Sequence, residues 1–499
     1  MYIFILLKMS EVALRQYRRN PRLLVVIASF GEKNLEYLKT ITRQYRRMAM
    51  HVDVVVVSEA PKSLDPDIKI VVGLPSRDPW SLPFAHKKIF AENLENYDLF
   101  AYSEDDMDVR EEHIRAFLRV SPALHSDEIA GFLRYEVDQR GNLFFPDVHW
   151  THHWKPETVK RRGPYTVAEF SNEHAAFYLL SQSQLRQAIS SGGFLRAPYK
   201  SYHDMLCCAA TDPYTCCGFR KILCVSMLQD FLIHHLSNRY AGQMGAPLAA
   251  VHDQVQTLMS IGAGLHPANT LVQFESKLLH RWWAKSFYEK PCQELLELVP
   301  MDAKRILSVG SGFGDTEVAL KNRGAEVTAL PLDSVIGAAA EKRGIDVVYG
   351  TFNQCRDNLG RRRFDCVIIS DLLHLVHEPG SLLEGVQHFV ENNGTIVVSG
   401  PNFEFYKTFL KRVTGLDDLG RLKDFDRSGI QVCGPRTARR VLERRGFRIE
   451  AVRWFDSHAS RNEPLRAAVL DRWTRQNWGV VARRVLSASR VPSQIATAV

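Results

Sequence analysis

The stretch Arg305–Leu320 reads RILSVGSGFGDTEVAL. An apolar run, Ile306–Val309, leads into Gly310, Gly312 and Gly314 at alternate positions, and Thr316–Leu320 opens a helical pattern. That order is a strand, a tight glycine turn and a helix N-terminus. A turn without Cβ atoms lets backbone approach a ligand closely, and the helix start offers unpaired N–H groups. The chain must therefore fold, in its second half, as an α/β unit with a small-molecule site at a strand's carboxyl end. The spacing departs from the G-x-G-x-x-G of dinucleotide sites. Asp315 stands three residues after Gly312, and Gly314 comes early. A nicotinamide-dependent dehydrogenase is thereby disfavoured.

The same alternation recurs on both sides. Apolar runs at 22–30, 52–57, 68–72 and 98–102 are separated by helical patterns at 35–50 and 83–96, with a further helix near 182–190. After Arg305, strands are expected at 305–309, 325–330, 345–349, 364–369 and 394–399. At 499 residues the chain exceeds one ordinary core. The expected fold class is α/β, two Rossmann-like domains in tandem. The first spans 20–241. A linker with scattered Gly, Pro and Ala and a connecting helix follow at 242–284, the second domain at 285–457, and a basic helical tail at 458–499.

Apolar residues make up 45% of the chain and charged residues 24%, a globular balance. The net charge of +8 is mild for this length, and no basic stripe interleaves with aromatics, which argues against nucleic acid. No apolar run approaches the ~20 residues of a membrane span. The start, MYIFILLKMS, lacks a basic leader and a cleavage site, and Met9 is an alternative initiator. Nine cysteines without framework spacing suit a reducing compartment. The expected location is the cytoplasm, with peripheral contact at the inner face of the cell membrane as an option for the basic tail.

Phe364–Asn402 reads FDCVIISDLLHLVHEPGSLLEGVQHFVENNGTIVVSGPN. Together with the glycine turn and Gly429–Val452, it resembles the class I S-adenosylmethionine-dependent methyltransferases over roughly 280–457. The resemblance implies a seven-stranded sheet and S-adenosyl-L-methionine as cofactor. It assigns cofactor contacts to Gly310, Ser311, Gly312, Gly314, Asp333, Asn353 and Asp371. It also puts His374 and His377 in the loop facing the acceptor, His374 being the catalytic candidate. Three positions depart from the family pattern. Ser308 stands where strand one ends in an acid, and Pro331 where an acid holds the ribose, with Asp333 two residues later. Thr351 and Asn353 replace the acid after strand three. Each absent carboxylate removes a charge-assisted hydrogen bond of ~1.5–3 kcal/mol.

In the first half, DLFAYSEDDMDV (Asp98–Val109) runs a strand into Glu104, Asp105, Asp106 and Asp108. Such a cluster is stabilised by a divalent cation, or is a solvated turn before a helix. With IASFGEKN (Ile27–Asn34) after the first strand, it resembles the GT-A glycosyltransferases over roughly 20–240. That resemblance implies a nucleotide-sugar donor and Mg²⁺ or Mn²⁺ held by Glu104, Asp106 and the late His235. Glu173, Asp204 and Asp212 are candidate general bases for an acceptor hydroxyl, or else caps and pair partners. Lys87 and Lys88 are open to two readings, phosphate contact or helix face.

The function expected is a bifunctional glycan-assembly enzyme. One domain transfers sugar to a glycan or lipid-linked glycan. The other methylates a hydroxyl, and tethering concentrates one site's product at the other. The alternative keeps one active domain, methyltransferase or glycosyltransferase, beside a binding module.

Overall fold

A computed structural model describes residues 21–174, 176–201, 203–273, 283–414, 425–456 and 471–485. The chain divides into two compact units, Met1–Ala268 and Asn269–Val499.

In the first unit, β1 (Arg22–Ala28), β2 (His51–Ser58), β3 (Lys69–Val72) and β4 (Leu99–Glu104) run parallel. β5 (Phe177–Ser181) joins β4 antiparallel, giving the order β5-β4-β1-β2-β3. β1 is buried from Leu23 to Ala28, because helices cover both faces of a parallel sheet, and its sequence is accordingly one apolar run. The helices are α1 (Leu35–Arg46), α2 (Ala85–Glu92), α3 (Glu111–Val120), α4 (Gln182–Ser190) and α5 (Met205–Thr215). A separate small sheet pairs Leu232–His235 with Leu133–Val137 and Met107–Asp108, which brings His235 back beside the end of β4.

The expected linker is in part a helix. α6 (Leu248–Gly262) buries Ala250, Val251, Gln254, Leu258 and Ile261, and Gln254 accepts the Trp154 indole N–H at 2.9 Å. The helix belongs to the first unit, which ends at Ala268.

The second unit is a seven-stranded sheet. Its strands are β6 (Arg305–Ser311), β7 (Glu326–Pro331), β8 (Asp346–Val347), β9 (Phe364–Ile369), β10 (Val390–Pro401), β11 (Phe447–Phe455) and β12 (Asn477–Arg484). Their order is β8-β7-β6-β9-β10-β12-β11. The helices that matter here are α7 (Asp315–Asn322), α8 (Ser334–Lys342), α9 (Phe352–Leu359), α10 (Pro379–Gln387) and α11 (Pro435–Glu443). β12 overturns the expected boundary at 457. It inserts antiparallel between β10 and β11, and Trp478, Val480 and Ala482 bury one face in the core. The rest of the expected tail, 458–470 and 486–499, lies outside the described residues, as do the first ten residues. So does 274–282 of the expected connecting helix, and the described positions 270–273 and 284 on either side of it are not helical.

Candidate active site at the strand switch of the second unit

From β6 the chain first builds outward through β7 and β8, then crosses to β9 on the other side. The β6/β9 boundary is thus the topological switch, where a crevice opens at the strands' carboxyl ends. The glycine turn lies there. Gly310 (φ 80°) and Gly314 (φ 93°) adopt the left-handed backbone that glycine allows. Gly312 serves another purpose. A Cβ there would lie 2.6 Å from the Phe287 carbonyl oxygen, to which the Phe313 N–H donates at 2.7 Å. The chain's own Lys285–Glu289 segment therefore lies against the turn. Ser311 Oγ, buried in the turn, has no hydrogen-bond partner among the described residues.

A charged cluster occupies the same edge. Lys285 is buried, and its ammonium donates to Ser370 O at 2.9 Å and pairs with Glu289 at 3.0 Å. Burial would lower the Lys285 pKa, yet the charges of Glu289, Asp371 and Glu317 raise it. Glu289 keeps 28% side-chain exposure, but burial, together with the like charge of Asp371, pushes it up to about 6 against the pull of Lys285. Ser308 Oγ donates to Glu317 Oε1 at 2.6 Å, both groups being buried. The carboxylate missing from position 308 is thus returned from α7. Position alone would read Glu317 as a first-turn helix residue; its place in the turn after a glycine loop was the available signal. Lys285 and Glu289 carried no motif.

Asp371, just after β9, holds a left-handed backbone (φ 49°), unusual for a residue with a Cβ, and its N–H donates to Ser399 O at 3.1 Å. His374 is buried. Its Nε2 lies 2.9 Å from the Trp283 carbonyl oxygen, so Nε2 must carry the proton and Nδ1 is left as an acceptor. That Nδ1 has no partner among the described residues. Burial pushes the ring's pKa down to about 4, so it is neutral at pH 7. His377 is instead edge-on to Phe425.

Two further predicted cofactor residues follow β7 and β8. Asp333 is buried as the N-cap of α8, its Oδ1 accepting from the Val335 and Ile336 N–H groups at 2.8 Å each. The shift of two residues past Pro331 puts the carboxylate on a helix end. Asn353 lines a cavity of about 410 Å³ with Arg356, Gly385 and His388, and that lining includes no residue of the glycine turn.

In the first unit the acidic strand end is buried and organised. Asp105 accepts from Ser29 Oγ at 2.6 Å and Asn34 Nδ2 at 2.7 Å, which ties the β4 end to the loop after β1. Two of the three expected metal ligands, Asp106 and His235, are paired with each other. Asp106 and His235 meet at 3.0 Å, Glu136 takes the other ring nitrogen at 2.5 Å, and Glu104 feels the charges of both Asp106 and His235. Among the described residues no group of three or more His, Cys, Asp or Glu side chains is placed to hold a metal ion. Burial and the Asp106 charge push Glu104 up to about 7. Each candidate base has a protein partner. Asp204 caps α5 through the Cys207 N–H at 2.8 Å. Asp212 is buried against Lys87, which settles that lysine as a core pair partner. Glu173 sits 3.9 Å from His203. No helix among the described residues is long and apolar enough to cross a membrane.

Comparison with known proteins places the second unit. The family model of "Methionine biosynthesis protein MetW" matches residues 290–476. A ubiquinone biosynthesis O-methyltransferase from Azoarcus sp. (strain BH72) is 30% identical over 161 residues, 30% of this chain and 69% of that protein. The Azotobacter vinelandii protein of the same name is 29% identical over 166 residues, 30% of this chain and 70% of the relative. The Pseudomonas entomophila one is 28% identical over 146 residues, 26% and 62% respectively. A solved S-adenosylmethionine-dependent methyltransferase from Mesorhizobium loti is 23% identical, covering 38% of this chain and 96% of its own, at a TM-score of 0.30. Through its second unit, the chain belongs to the class I S-adenosylmethionine-dependent methyltransferase family. None of the proteins named here is a glycosyltransferase.

Proposed function

We propose that the second unit binds S-adenosyl-L-methionine at the β6/β9 edge and transfers its methyl group to an acceptor hydroxyl. The observation carrying this reading is the charged cluster there, in which the buried Glu317 and the half-buried Glu289 and Asp371 outnumber the single buried ammonium of Lys285. The methyl donor is itself a net cation, with sulfonium and ammonium against one carboxylate. An edge with surplus negative charge and an orphaned Ser311 Oγ fits such a ligand. The Gly310–Gly314 turn, Ser311, Glu317 and Asp371 would hold it, with Lys285 and Glu289 alongside.

When bound, the donor supplies an electrophilic methyl on sulfur. The protein's part is to align the acceptor oxygen and hold its proton. His374 does the second task, because the Trp283 carbonyl fixes its Nε2 proton and leaves Nδ1 to accept. The acceptor is a hydroxyl-bearing small molecule, consistent with the O-methyltransferase names of the relatives. Calorimetric titration of the full chain with S-adenosylhomocysteine tests the reading. Micromolar binding is the expected result, and no binding sinks it.

A second reading concerns the first unit. The Glu104–Asp106 turn ends β4 beside β1, where the order β4-β1-β2 makes that sheet's own switch point. Phe30, 53% exposed just past β1, presents a ring to solvent there. These features support binding of a nucleotide, and of a nucleotide-sugar donor for transfer to a glycan. Titration with UDP-glucose and GDP-mannose, with and without Mn²⁺, tests it, and failure of every nucleotide sugar to bind removes it.

A further inference from the structure

We infer that a cavity beyond β10 is the acceptor site, and that the acceptor is an anionic, ring-shaped hydroxyl compound. This rests on the methyltransferase reading and specifies its substrate class. The cavity has a volume of about 320 Å³. It is bounded by Asn402 and Phe403 after β10, Trp454 at the end of β11, Trp478 at the start of β12, and Arg436 and Arg439 on α11. β12 runs antiparallel between two parallel neighbours, so these strand ends all lie at the carboxyl edge of β10, the edge that carries the glycine turn. Strands in a sheet lie about 4.8 Å apart. β10 is two strands from β6, so the cavity begins roughly 10 Å along the edge from the turn. That is where a molecule receiving a group from a ligand at β6/β9 would sit.

The chemistry of the walls selects the occupant. Trp454, backed by the buried Phe403 and Trp478, provides flat apolar surface, which suits an aromatic ring or the apolar face of a sugar ring. Three arginines, Arg436, Arg439 and Arg472, face one glutamate, Glu404, in the lining. Arg472 is bound to Glu404 and Arg439 to Glu443. Arg436 is exposed and makes no direct ion pair among the described residues, while its charge helps to lower the Glu404 pKa. α11 is nine residues long, starts at Gly434 without a side-chain cap, and so turns its positive end towards the same space. On the inner side, Phe403 stacks on Trp283 at 4.5 Å and meets His374 edge-on at 6.2 Å. The Trp283 Nε1 and His374 Nδ1 are both buried and lack partners among the described residues. An exposed cation at the outer end, aromatic walls, and an unpaired acceptor nitrogen near the inner wall fit a ring with an anionic group at one end and a hydroxyl at the other. A carboxylated phenol and a uronic acid share that chemistry.

The test is titration of the full chain, saturated with S-adenosylhomocysteine, with 3,4-dihydroxybenzoate and glucuronate against their uncharged counterparts catechol and glucose. At least one anionic probe is expected to bind tenfold or more tighter than its neutral partner, and which one does so distinguishes the two sources. The Arg436→Ala/Arg439→Ala double variant is expected to lose that preference, and Arg436→Lys to keep most of it. Binding of S-adenosylhomocysteine itself should be unchanged in both variants, which separates failure here from failure of the donor site. Equal affinity for charged and neutral probes, no binding of any probe, or a preference that survives the double variant would overturn the inference.

Discussion

Lys87 in the first unit and Lys285 in the second are both buried, and they are buried differently. Lys87 in the first unit is 3% exposed at its side chain and meets Asp212, which is 0% exposed. Asp212 also accepts from the Tyr199 hydroxyl at 2.5 Å, and the ammonium lies 4.3 Å over the Phe84 ring. Charges balance one to one, and burial leaves the Lys87 pKa lowered. Lys285 in the second unit is as deeply buried, yet its pKa is raised, because three carboxylates surround it. A closed pair holds a core together. An unbalanced cluster at a strand switch, with orphaned polar atoms beside it, is built for something further to enter.

The strongest way to break this contrast is to remove one partner of the closed pair. Asp212→Ala leaves Lys87 buried and unpaired, which costs about 3–5 kcal/mol. Urea unfolding should show the first unit's transition shifted to lower denaturant, while S-adenosylhomocysteine affinity stays as in the parent chain. A variant of unchanged stability would show that Asp212 is not structural and return it to the list of candidate bases.

His374→Ala probes the open cluster's neighbour. Loss of a positioned base lowers kcat by roughly 10²–10⁴. Donor binding should survive, because the ring contacts the Trp283 carbonyl and Phe403 rather than the glycine turn. A His374→Ala protein with full kcat on an accepted hydroxyl would remove the residue from the chemistry. Glu317→Gln is the milder test. It keeps the Ser308 hydrogen bond but deletes one charge from the surplus, so donor affinity should fall by about 10- to 100-fold, the equivalent of ~1.5–3 kcal/mol for a hydrogen bond to a charged group. Stability should change little. Equal affinity in Glu317→Gln would mean that Lys285, Glu289 and Asp371 suffice.

The contrast also shows what the sequence could carry. The second sheet was legible through β10 because its strands are short apolar runs bounded by turn residues, and Phe364–Ile369 was placed to the residue. β12 was missed because WGVVARR alternates only over Trp478, Val480 and Ala482 amid arginines, a strand that its two neighbours make by pairing. α6 hid between glycine clusters, although Ala250, Gln254, Leu258 and Ile261 recur at helical spacing. Site residues fared by type. Backbone-defined positions such as Gly310 and Gly314 follow from local rules. The partners of Ser308 and Lys285 depend on which side chains tertiary packing turns inward, and no spacing rule encodes that.

Between the closed and open cases lies the Asp106–His235 pair. Burial alone would raise Asp106 and lower His235, but each holds the other charged. The Asp106 pKa falls below 3.8 and that of His235 rises above 6.5. The linkage has two sides. The contribution of His235 is fully present below pH 6.5 and fades as pH rises through its folded value. That of Asp106 is present above pH 3.8 and is lost as pH falls through its own depressed value. Between those limits the pair stabilises the first unit, and mild alkali should loosen it before mild acid does. Glu104 acts in the same direction: an acid pushed up to about 7 is deprotonated against its environment as pH rises from 4.5 to 7, which withdraws stability over that range. Histidine NMR on the full chain should find one ring, lost in His235→Ala, titrating above pH 6.5. The stability difference between pH 6 and pH 8.5 should shrink in that variant. A ring titrating below 6.5 would mean the pair is neutral, and the end of β4 would then resemble the closed Lys87–Asp212 core rather than the charged edge of the second unit.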